Sequence, residues 1–486
     1  MRWTLLIAAA AAACGNNGAP TWPQYAAKCA TPRSGNDPFT GQAYPDRQGT
    51  ADDEKTFLRL WTNDLYLWYR EVPGNLDPKS YATPLDYFAV LKTPLTTPSG
   101  NPKDRFHFTY ETAVWDALSE SGVEAGYGAF WEEPSRPPQR KIVAAYDETG
   151  SPAAQNNIVR GAQVMTVDGV AVLNGDATTV LGGLFPATVG ETHTFDILDP
   201  GATATRKVSM TSIAVTSTPV RIASTPAAGV GYLLFNSFVP ATAEKELVDA
   251  FNQLKGVSDL VLDLRYNGGG LLITASELAY MIAGPAATAG KTFELSKWND
   301  KHPTVDPIQG APITPLGFLS QTEGLSVTAG QPLPHLDLSR VFVLSSSETC
   351  SASESVINGL RGVDVQVILI GGNTCGKPYS FYPQDNCGTT YFSIEMQGVN
   401  QKGFGDYADG FVPAGTLSNG VPGCLVADDF SHQLGDVSEA RFAAALQYRG
   451  NQTCPPPSSS MPRAQAEGGM LARPPWFTNR LFRVRR

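Results

Sequence analysis

Three short apolar runs, each followed by glycines or small polar residues, constrain the fold of this chain more than any other feature. They span residues 260–264, 341–344 and 365–370. Runs of this length with at most one polar residue, here Asp263 and Gln366, are typical of strands that are buried on both faces. Apolar residues at helical spacing precede the first run and follow the second. Because strands and helices alternate in this way, we expect an α/β core that continues to about residue 448.

The residues that follow the second run are candidates for catalysis. Ser351 lies in the segment 345–354, where a predicted helix follows a predicted strand. Unpaired backbone N–H groups at a helix N-terminus favour negative charge, such as that of a developing oxyanion. A serine at this position needs only a base to become a nucleophile. The same segment, Ser-Ala-Ser-Glu in its last four residues, also fits an ordinary capping box that only starts the helix.

The third run offers the base. It is followed by two glycines and then by Lys377, whose neighbours in the sequence are apolar and aromatic. A lysine can remove a serine proton only if its pKa falls from about 10.4 towards roughly 7–8, which burial away from water achieves. The first run ends in the glycines 268–270, whose backbone can approach a substrate closely and offer N–H donors.

These three segments, in this order, resemble the C-terminal processing peptidases, also called tail-specific proteases. The matching segments are Asp263-Leu-Arg-Tyr-Asn-Gly-Gly-Gly270, Ser351-Ala-Ser-Glu354 and Gly371-Gly-Asn-Thr-Cys-Gly-Lys377. The resemblance implies that Ser351 is the nucleophile and that Lys377 is its general base. It also implies an oxyanion hole made by the backbone N–H groups of Ala352 and of Gly269 or Gly270, and a core with the αββ layers of the ClpP/crotonase fold.

Two alternatives concern the base and the residue that orients it. The family usually places a glutamine four residues after the lysine, where this chain has Phe381, and Gln384 is the nearest candidate to replace it. A histidine could also act as the base, and the chain has five. His107 is the candidate among them, because its segment resembles an Asp-Pro-His-Thr-like segment of relatives. We interpret His107 as a structural or substrate-lining residue rather than as the base.

Composition and pattern predict a multidomain chain with six segments. They are a signal peptide at 1–13, a tether at 14–50, an N-terminal helical region at 51–121, a small β-rich PDZ-like domain at 122–220, the catalytic core at 221–450 and a disordered, Pro-rich and basic tail at 451–486. The PDZ-like interpretation rests on short β runs and glycine turns that follow each other as in PDZ domains of the same peptidases. Such domains bind a chain end by adding it as a strand. The loop predicted to bind it contains Gly126, Tyr127, Gly128, Ala129 and Phe130.

The N-terminus has the pattern of an export signal. A basic start precedes a short apolar core and a run of alanines that ends before Cys14. The apolar part is shorter than the about 20 residues that a membrane span needs. Cys14 fits a bacterial lipoprotein cleavage site, so its lipidation would anchor the protein on the periplasmic face of a membrane. Cleavage near residue 13 as an ordinary signal is the alternative, which predicts a periplasmic or secreted protein.

The remaining cysteines agree with export. Without Cys14 they number six, and an even number predicts disulfides in an oxidising compartment. Cys350 and Cys375 could join the two catalytic loops, or Cys375 and Cys387 could close a hairpin. The two-residue spacing of zinc and redox sites is absent, so we predict neither a metal nor another cofactor. The formal net charge of −10 argues against a nucleic-acid partner.

We therefore predict an exported serine endopeptidase that cleaves flexible or C-terminal segments of proteins through a Ser351–Lys377 dyad and an acyl-enzyme. Its partners would be protein or peptide substrates and, through Cys14, a membrane. Two other functions fit the same sequence. One is a non-catalytic peptide-binding protein on the same fold, which the departure at Phe381 favours, and the other is a small ester or amide hydrolase. No oligomeric state is predicted.

Overall fold

The computed structural model of the chain describes residues 19–135, 139–456, 470–471 and 480–482. The predicted signal peptide and Cys14 lie outside these ranges. Most of the segment predicted to be disordered, from residue 457 onwards, also lies outside them.

The helices of the described residues fall between the strands along the whole chain. They are α1 (Ala51–Leu65), α2 (Pro84–Val90), α3 (Thr112–Ser121), α4 (Pro152–Gln155), α5 (Ala177–Leu184), α6 (Thr242–Gln253), α7 (Leu272–Thr288), α8 (Ala352–Gly362) and α9 (Ala440–Asn451).

The strands are mostly short. They are β1 (Lys28–Cys29), β2 (Arg47–Gln48), β3 (Phe108–Glu111), β4 (Val123–Gly126), β5 (Ala129–Ser135), β6 (Lys141–Asp147), β7 (Gln163–Val167), β8 (Val170–Ala171), β9 (Thr192–Leu198), β10 (Arg206–Thr211), β11 (Ile213–Thr216), β12 (Val220–Ala227), β13 (Val230–Phe235), β14 (Asp259–Asp263), β15 (Gly269–Leu271), β16 (Thr292–Lys297), β17 (Leu316–Gly317), β18 (Arg340–Ser345), β19 (Gln366–Gly371), β20 (Tyr379–Ser380), β21 (Gln384–Asn386), β22 (Thr389–Phe392), β23 (Met396–Val399), β24 (Val412–Pro413), β25 (Gly420–Val421), β26 (Gly423–Leu425), β27 (Met470–Leu471) and β28 (Arg480–Phe482).

A six-stranded sheet is the centre of the region 221–450. Its order is β12-β13-β14-β18-β19-β26, with β12 antiparallel to β13 and the other neighbours parallel. The three apolar runs of the sequence are β14, β18 and β19. Helices α6, α7 and α8 pack on one face and α9 on the other, so the strand residues are apolar on both faces. The predicted α/β class is confirmed.

A second sheet, made of strands from residues 122–220 and of β27, has its own hydrophobic core. Its order is β10-β9-β7-β6-β5-β27, with β8 paired to β7, and its neighbouring strands are antiparallel. Trp131, Ile142, Val164 and Phe195 are fully or almost fully buried between this sheet and α5. The multidomain organisation predicted from the sequence therefore appears as two sheets with separate cores.

Residues 19–50 differ from the predicted tether. Trp22 packs edge to face against Phe57 of α1, with 5.9 Å between the ring centroids. Cys29 is buried and forms a disulfide with Cys387, 358 residues later in the chain. This segment is therefore part of the folded structure. Its Gly- and Pro-rich composition predicted a flexible segment. The prediction failed because composition does not reveal that Cys29 is bonded to a cysteine far along the chain.

Two further disulfides join Cys350 to Cys375 and Cys424 to Cys454. The first is one of the two alternatives that the sequence left open, and the second alternative, Cys375 with Cys387, is wrong.

Within the described ranges, no helix combines the length and the apolar character that a membrane span requires.

A pair of buried carboxyl groups, those of Glu244 in α6 and Glu277 in α7, lies between these two helices. Glu244 accepts backbone N–H bonds from Glu323, Gly324 and Ser326 at 2.7, 3.0 and 2.8 Å. Glu277 also accepts from the Glu323 N–H, at 3.1 Å. Burial and the adjacent Glu244 raise the pKa of Glu277 to about 9. Glu277 is therefore protonated at neutral pH in the folded state, whereas an unfolded chain ionises it above about pH 4.3.

Glu277→Gln is expected to stabilise the protein above about pH 6. A folded-state pKa raised above the unfolded value gives stability that is fully present below the unfolded pKa and is lost as pH rises towards the folded pKa. The glutamine amide keeps a donor towards Glu244 without this loss, which amounts to about 4 kcal/mol at pH 7. Urea unfolding at pH 5 and pH 8 measures the difference. Equal effects at the two pH values would show that Glu277 is ionised in the folded protein.

Candidate active site

The three segments singled out in the sequence meet at one edge of the central sheet. Asp263 of β14 is in register with Leu344 of β18, and Leu344 with Ile370 of β19. Because these strands are parallel, the loops at their carboxyl ends lie side by side. The loops are 264–270, which follows β14, 346–351, which follows β18, and 372–377, which follows β19.

Ser351 is held in an unusual backbone conformation directly before α8. Its φ and ψ are 64° and −111°, in a region that residues with a Cβ rarely adopt. Its side chain is fully buried, and among the described residues Oγ has no hydrogen-bond partner. Glu354 accepts the Ser351 N–H at 2.9 Å, so only the glutamate half of the capping box is used. The hydroxyl remains available at the helix N-terminus.

The Glu354 carboxylate joins the serine turn to the lysine loop. Besides the Ser351 N–H, it accepts the N–H groups of Gly376 and Lys377, both at 2.8 Å, and the Thr374 hydroxyl. Burial raises the pKa of Glu354, and these hydrogen bonds oppose that shift. The disulfide between Cys350 and Cys375 links the same two loops covalently. The two loops therefore have one fixed relative position.

The side chains of Cys350, Glu354 and Cys375 form a compact group of possible metal ligands. The donor atoms of Cys350, Glu354 and Cys375 lie within 4.8 Å of one another. Both sulfur atoms are bonded to each other, however, and a disulfide sulfur lacks the thiolate charge that binds zinc. In this state the group connects loops rather than offering ligands.

Lys377 is fully buried and lies against two aromatic rings. Its Nζ is 4.1 Å from the ring centroid of Phe381 and 5.3 Å from that of Phe106. Burial lowers the pKa of Lys377 well below that of an exposed lysine, and the charges of Asp104 and Glu354 oppose the shift only in part. Burial therefore favours the uncharged amine, which is the form of lysine that can accept a proton.

Residues before β3 complete the lysine pocket, and sequence reasoning missed them. Asp104 is almost fully buried and accepts hydrogen bonds from the Tyr66 hydroxyl at 2.6 Å and the Phe106 N–H at 3.0 Å. Arg105 donates to the Cys375 carbonyl oxygen at 2.6 Å. The signal that could have found them is the segment 103–110 itself, from which only His107 was chosen.

The His107 side chain is buried against Phe88 and Asp104. Its ring stacks on Phe88, with 3.8 Å between the centroids, and its Nε2 donates to the Phe88 carbonyl oxygen at 2.8 Å. Burial lowers the pKa of His107 to about 4, so the ring is neutral. With the proton on Nε2, only Nδ1 could accept another, and it lies 3.7 Å from Asp104 Oδ2. This agrees with the structural interpretation.

The candidate oxyanion glycines differ in what their backbone groups contact. The Gly269 N–H donates to Asn267 Oδ1 at 2.9 Å. Phe238 donates its N–H to the Gly269 carbonyl oxygen and accepts the Leu271 N–H. Because alternate residues of a strand point their N–H groups to opposite edges, the Gly270 N–H faces away from Phe238. A Cβ on Gly270 would lie 2.3 Å from the Phe238 backbone, so only glycine fits.

The glycine loop and the serine turn are connected by side-chain to backbone hydrogen bonds. Thr349 donates to the Leu264 carbonyl oxygen at 2.9 Å, and Ser353 donates to that of Asn267 at 3.0 Å. The Cys350 N–H also donates to the Asn267 carbonyl oxygen, at 3.1 Å. Ala352, the other predicted donor, is the first residue of α8 and is buried beside this loop. Both predicted donors therefore belong to one connected structure.

Gln384, the predicted replacement for the glutamine of the family, lies in β21. Its side-chain amide donates to the Asp385 carbonyl oxygen at 3.0 Å. The ring of Phe381, in contrast, lies directly over Lys377 Nζ. The position at which the sequence departs from the family is thus in contact with the lysine.

The predicted peptide-binding loop borders a large apolar cavity. The cavity has a volume of about 380 Å³ and is lined by residues 123–131 together with α3, the end of α5 and β11. Gly128 has φ of 71°, and a Cβ there would lie 2.3 Å from the Ser151 side chain, so the tight loop requires glycine. A smaller adjoining cavity extends from Phe130 to Gly268 and Gly269. Together the two cavities lead from the predicted peptide-binding loop to Gly268 and Gly269, in the loop that follows β14.

Comparison with known proteins finds similarity to one family of peptidases. Residues 229–381 match the family model of Peptidase family S41, and residues 53–110 match that of the peptidase S41 N-terminal domain. A carboxyl-terminal-processing protease of Picosynechococcus is 29% identical over 235 residues, which are 47% of this chain. The match spans only about half, 49%, of that relative's length.

A solved structure supports the fold over most of the chain. A protein of Bacteroides fragilis assigned to the S41 proteases superposes with a TM-score of 0.60 and 23% identity, over 84% of this chain and 98% of that one. At this identity the likeness concerns the fold. The two matching family models agree with the predicted core and N-terminal region, and they support the predicted resemblance to the C-terminal processing peptidases.

Proposed function

We propose that this chain is a serine endopeptidase in which Ser351 is the nucleophile and Lys377 the general base. The observation that carries the proposal is an unpartnered serine hydroxyl at a helix N-terminus, joined through Glu354 to the loop of a fully buried lysine. Neutral Lys377 takes the Ser351 proton while Oγ attacks a peptide carbonyl. In the resting structure Oγ is not bonded to Nζ, and such bonds commonly form only when substrate is present.

The remaining steps follow from the same groups. The carbonyl oxygen becomes an oxyanion, which the N–H groups of Ala352 and Gly270 would stabilise together with the N-terminus of α8. Lys377 then returns the proton to the leaving amine, and the acyl-enzyme forms. Water attacks the ester in a second round, in which Lys377 again accepts and returns a proton.

Reaction of the mature protein with a fluorophosphonate tests this proposal. We expect one phosphonylated residue, Ser351, in peptide mapping by mass spectrometry, and no labelling of Ser351→Ala. Cleavage of a denatured protein should disappear with the same change. A label on a different residue would contradict the dyad. Labelling with turnover of small esters but not of denatured protein would favour a small-ester hydrolase, and no labelling would favour a peptide-binding protein.

The proposed substrates are flexible segments of proteins, including their C-terminal ends. Support comes from the β-rich unit, where the predicted loop 126–130 borders an apolar cavity and runs into the first residues of β5. A PDZ domain would use such a loop and strand to add a peptide as a strand and to hold its carboxylate with loop N–H groups. The cavity next to it would guide the chain towards Gly269.

Export is part of the proposal. All six cysteines of the described residues form disulfides, which persist in oxidising compartments. With the predicted signal peptide, this supports a periplasmic or cell-surface location, with lipidation at Cys14 as the proposed anchor.

Phe381 and Phe106 are proposed to orient Lys377 in place of the glutamine of the family. A ring face attracts the ammonium that forms when the lysine has taken the serine proton, by about 0.5–2 kcal/mol. The rings therefore stabilise the charged intermediate state, whereas burial stabilises the neutral base. Asp104 adds a charge that favours the same ammonium.

Phe381→Leu is expected to lower the rate of fluorophosphonate labelling by roughly 2- to 30-fold. Leucine keeps the site apolar but removes the ring face, so the ammonium loses stabilisation and the pKa of Lys377 falls further. The inflection of the rate against pH should move to lower pH by about 0.4–1.5 units. Phe392→Leu is the matched control, because Phe392 packs on Phe381 in the same cluster. An equal shift in both variants would mean that Phe381 only fills space.

A further inference from the structure

A continuous groove connects the peptide-binding loop with the catalytic edge. The two cavities share five lining residues, which are Leu118, Glu124, Phe130, Glu148 and Ser217. The larger cavity reaches the loop 126–128, and the smaller one reaches Gly268 and Gly269. We call this surface the substrate groove. A ligand that lay along it would contact both β5 and β15.

Two short strands from the C-terminal segment pair with these two strands. β27 adds to β5 in antiparallel orientation, with Leu471 opposite Glu132 and Met470 opposite Glu133. Strand addition is the mode by which PDZ domains bind peptides. β28 pairs in parallel with β15, and its Cα atoms approach those of β20, just beyond Lys377, to within 8 Å. One segment of this chain therefore pairs with both strands that border the groove.

The pairing at β15 uses the backbone group that an oxyanion needs. The Gly269 carbonyl oxygen and the Leu271 N–H both bond to the backbone of Phe238. The N–H and carbonyl groups of Gly270 therefore face the opposite edge of β15. On that edge Gly270 is in register with Leu481 of β28. The backbone of β28 thus occupies the N–H donor that a substrate carbonyl would otherwise take.

Charge favours the same occupant. Residues 457–486 contain six arginines and one acidic residue, Glu467, whereas the whole chain has a formal net charge of −10. The described lining of the two cavities includes Glu124 and Glu148, the latter paired with Arg221 at 2.6 Å, but neither lysine nor arginine. Complementary charge of this kind speeds docking and selects the partner. Because the segment is tethered, its effective concentration is on the order of millimolar.

We propose that the C-terminal segment 457–486 is a built-in ligand of the substrate groove, which docks on β5 and β15 and excludes other chains from Gly270 and Ser351. The inference rests on the proposed function for its inhibitory consequence. A competing substrate must displace β28 before its own carbonyl can reach the oxyanion donors. The intact chain is therefore a restrained form of the enzyme.

The test compares full-length proteins that differ only in the segment. Leu471→Pro combined with Phe482→Pro removes one backbone donor from each short strand and disfavours their pairing. Ser459→Pro, next to the prolines 455–457 and outside both strands, is the matched control. We expect the double variant to label with fluorophosphonate on the order of tenfold faster than the wild type and the control. A synthetic peptide of residues 457–486 should restore the slow rate, and less so at high salt.

Hydrogen exchange measures docking without relying on catalysis. Amides in 129–135 and 269–271 should exchange faster in the double variant than in the wild type and the control. Equal exchange and equal labelling in all three proteins would overturn the inference and leave the Ser351 proposal intact. If no protein labels at Ser351 but exchange still differs, the docking stands and the proposed function fails.

Discussion

Lys377→Met is expected to lower kcat/KM for peptide cleavage, and the rate of fluorophosphonate labelling, by about 10⁴-fold. Methionine is unbranched and apolar, so it fills the pocket between Phe106 and Phe381 without a group that can accept the serine proton. Stability should stay equal or rise, because a fully buried lysine is costly to charge. The loss of activity would then reflect chemistry and not unfolding.

The pH dependence of the wild type adds a second measurement. The pKa of Lys377 is lowered well below its usual value, mainly by burial, and only the neutral amine is a base. The labelling rate should therefore rise with pH as Lys377 loses its proton. It should reach its plateau before the pH reaches about 10.4, the pKa of an exposed lysine. Lys402→Met, on the surface beside Asp364, is the control and should change neither rate nor profile. Wild-type activity of Lys377→Met would move the base elsewhere.

The central sheet could be predicted because its signal is local. In β14, β18 and β19 the apolar residues are contiguous, and glycines or small polar residues mark each carboxyl end. Parallel strands place those ends at one edge, so the sequence also predicted that Ser351 and Lys377 lie on neighbouring loops. That argument needed no contact between distant residues.

The parts of the site that sequence reasoning missed depend on such contacts. Asp104 and Phe106 approach Lys377 across more than 270 residues of chain, and no periodicity links them. Glu354 was recognised only as a possible cap, because the sequence could not show that its second oxygen holds the lysine loop. The proposed tether was wrong for residues 19–50 for the same reason, since Cys29 pairs with a cysteine near the other end of the chain.

The largest effect on stability should come from a buried group of six charges beneath the glycine loop. Arg265 is fully buried and donates to Asp263, Asp428 and Glu439, with the shortest distance, 2.7 Å, to Asp428. Arg160 donates to the same Asp428 oxygen at 2.6 Å, and Arg441 lies 3.8 Å from the other one. Three arginines therefore balance three carboxylates. The residues that follow Arg265 are the Tyr266–Gly270 loop of the active site.

Asp428→Asn is expected to destabilise the protein by about 3–5 kcal/mol, because it leaves three buried arginines with two carboxylates. The adjacent arginines lower the pKa of Asp428. A depressed folded-state pKa gives stability that is present above the unfolded value, about 3.9, and is lost as pH falls towards the folded value. The difference between wild type and variant in urea unfolding should therefore be full at pH 7 and shrink as the solution approaches pH 3.

Activity provides an independent check of the same change. Thr349, Cys350 and Ser353 hold the serine turn to carbonyl groups of residues 264–267, so a displaced Arg265 shifts the oxyanion donors relative to Ser351. Labelling by fluorophosphonate should slow even at temperatures where Asp428→Asn remains folded. Asp364→Asn, which breaks only the exposed pair with Lys402, should cost less than about 1 kcal/mol and leave labelling unchanged. If the two variants lost equal stability, the six charges would contribute no more than a surface ion pair, and the position of the glycine loop would have to come from its backbone hydrogen bonds alone.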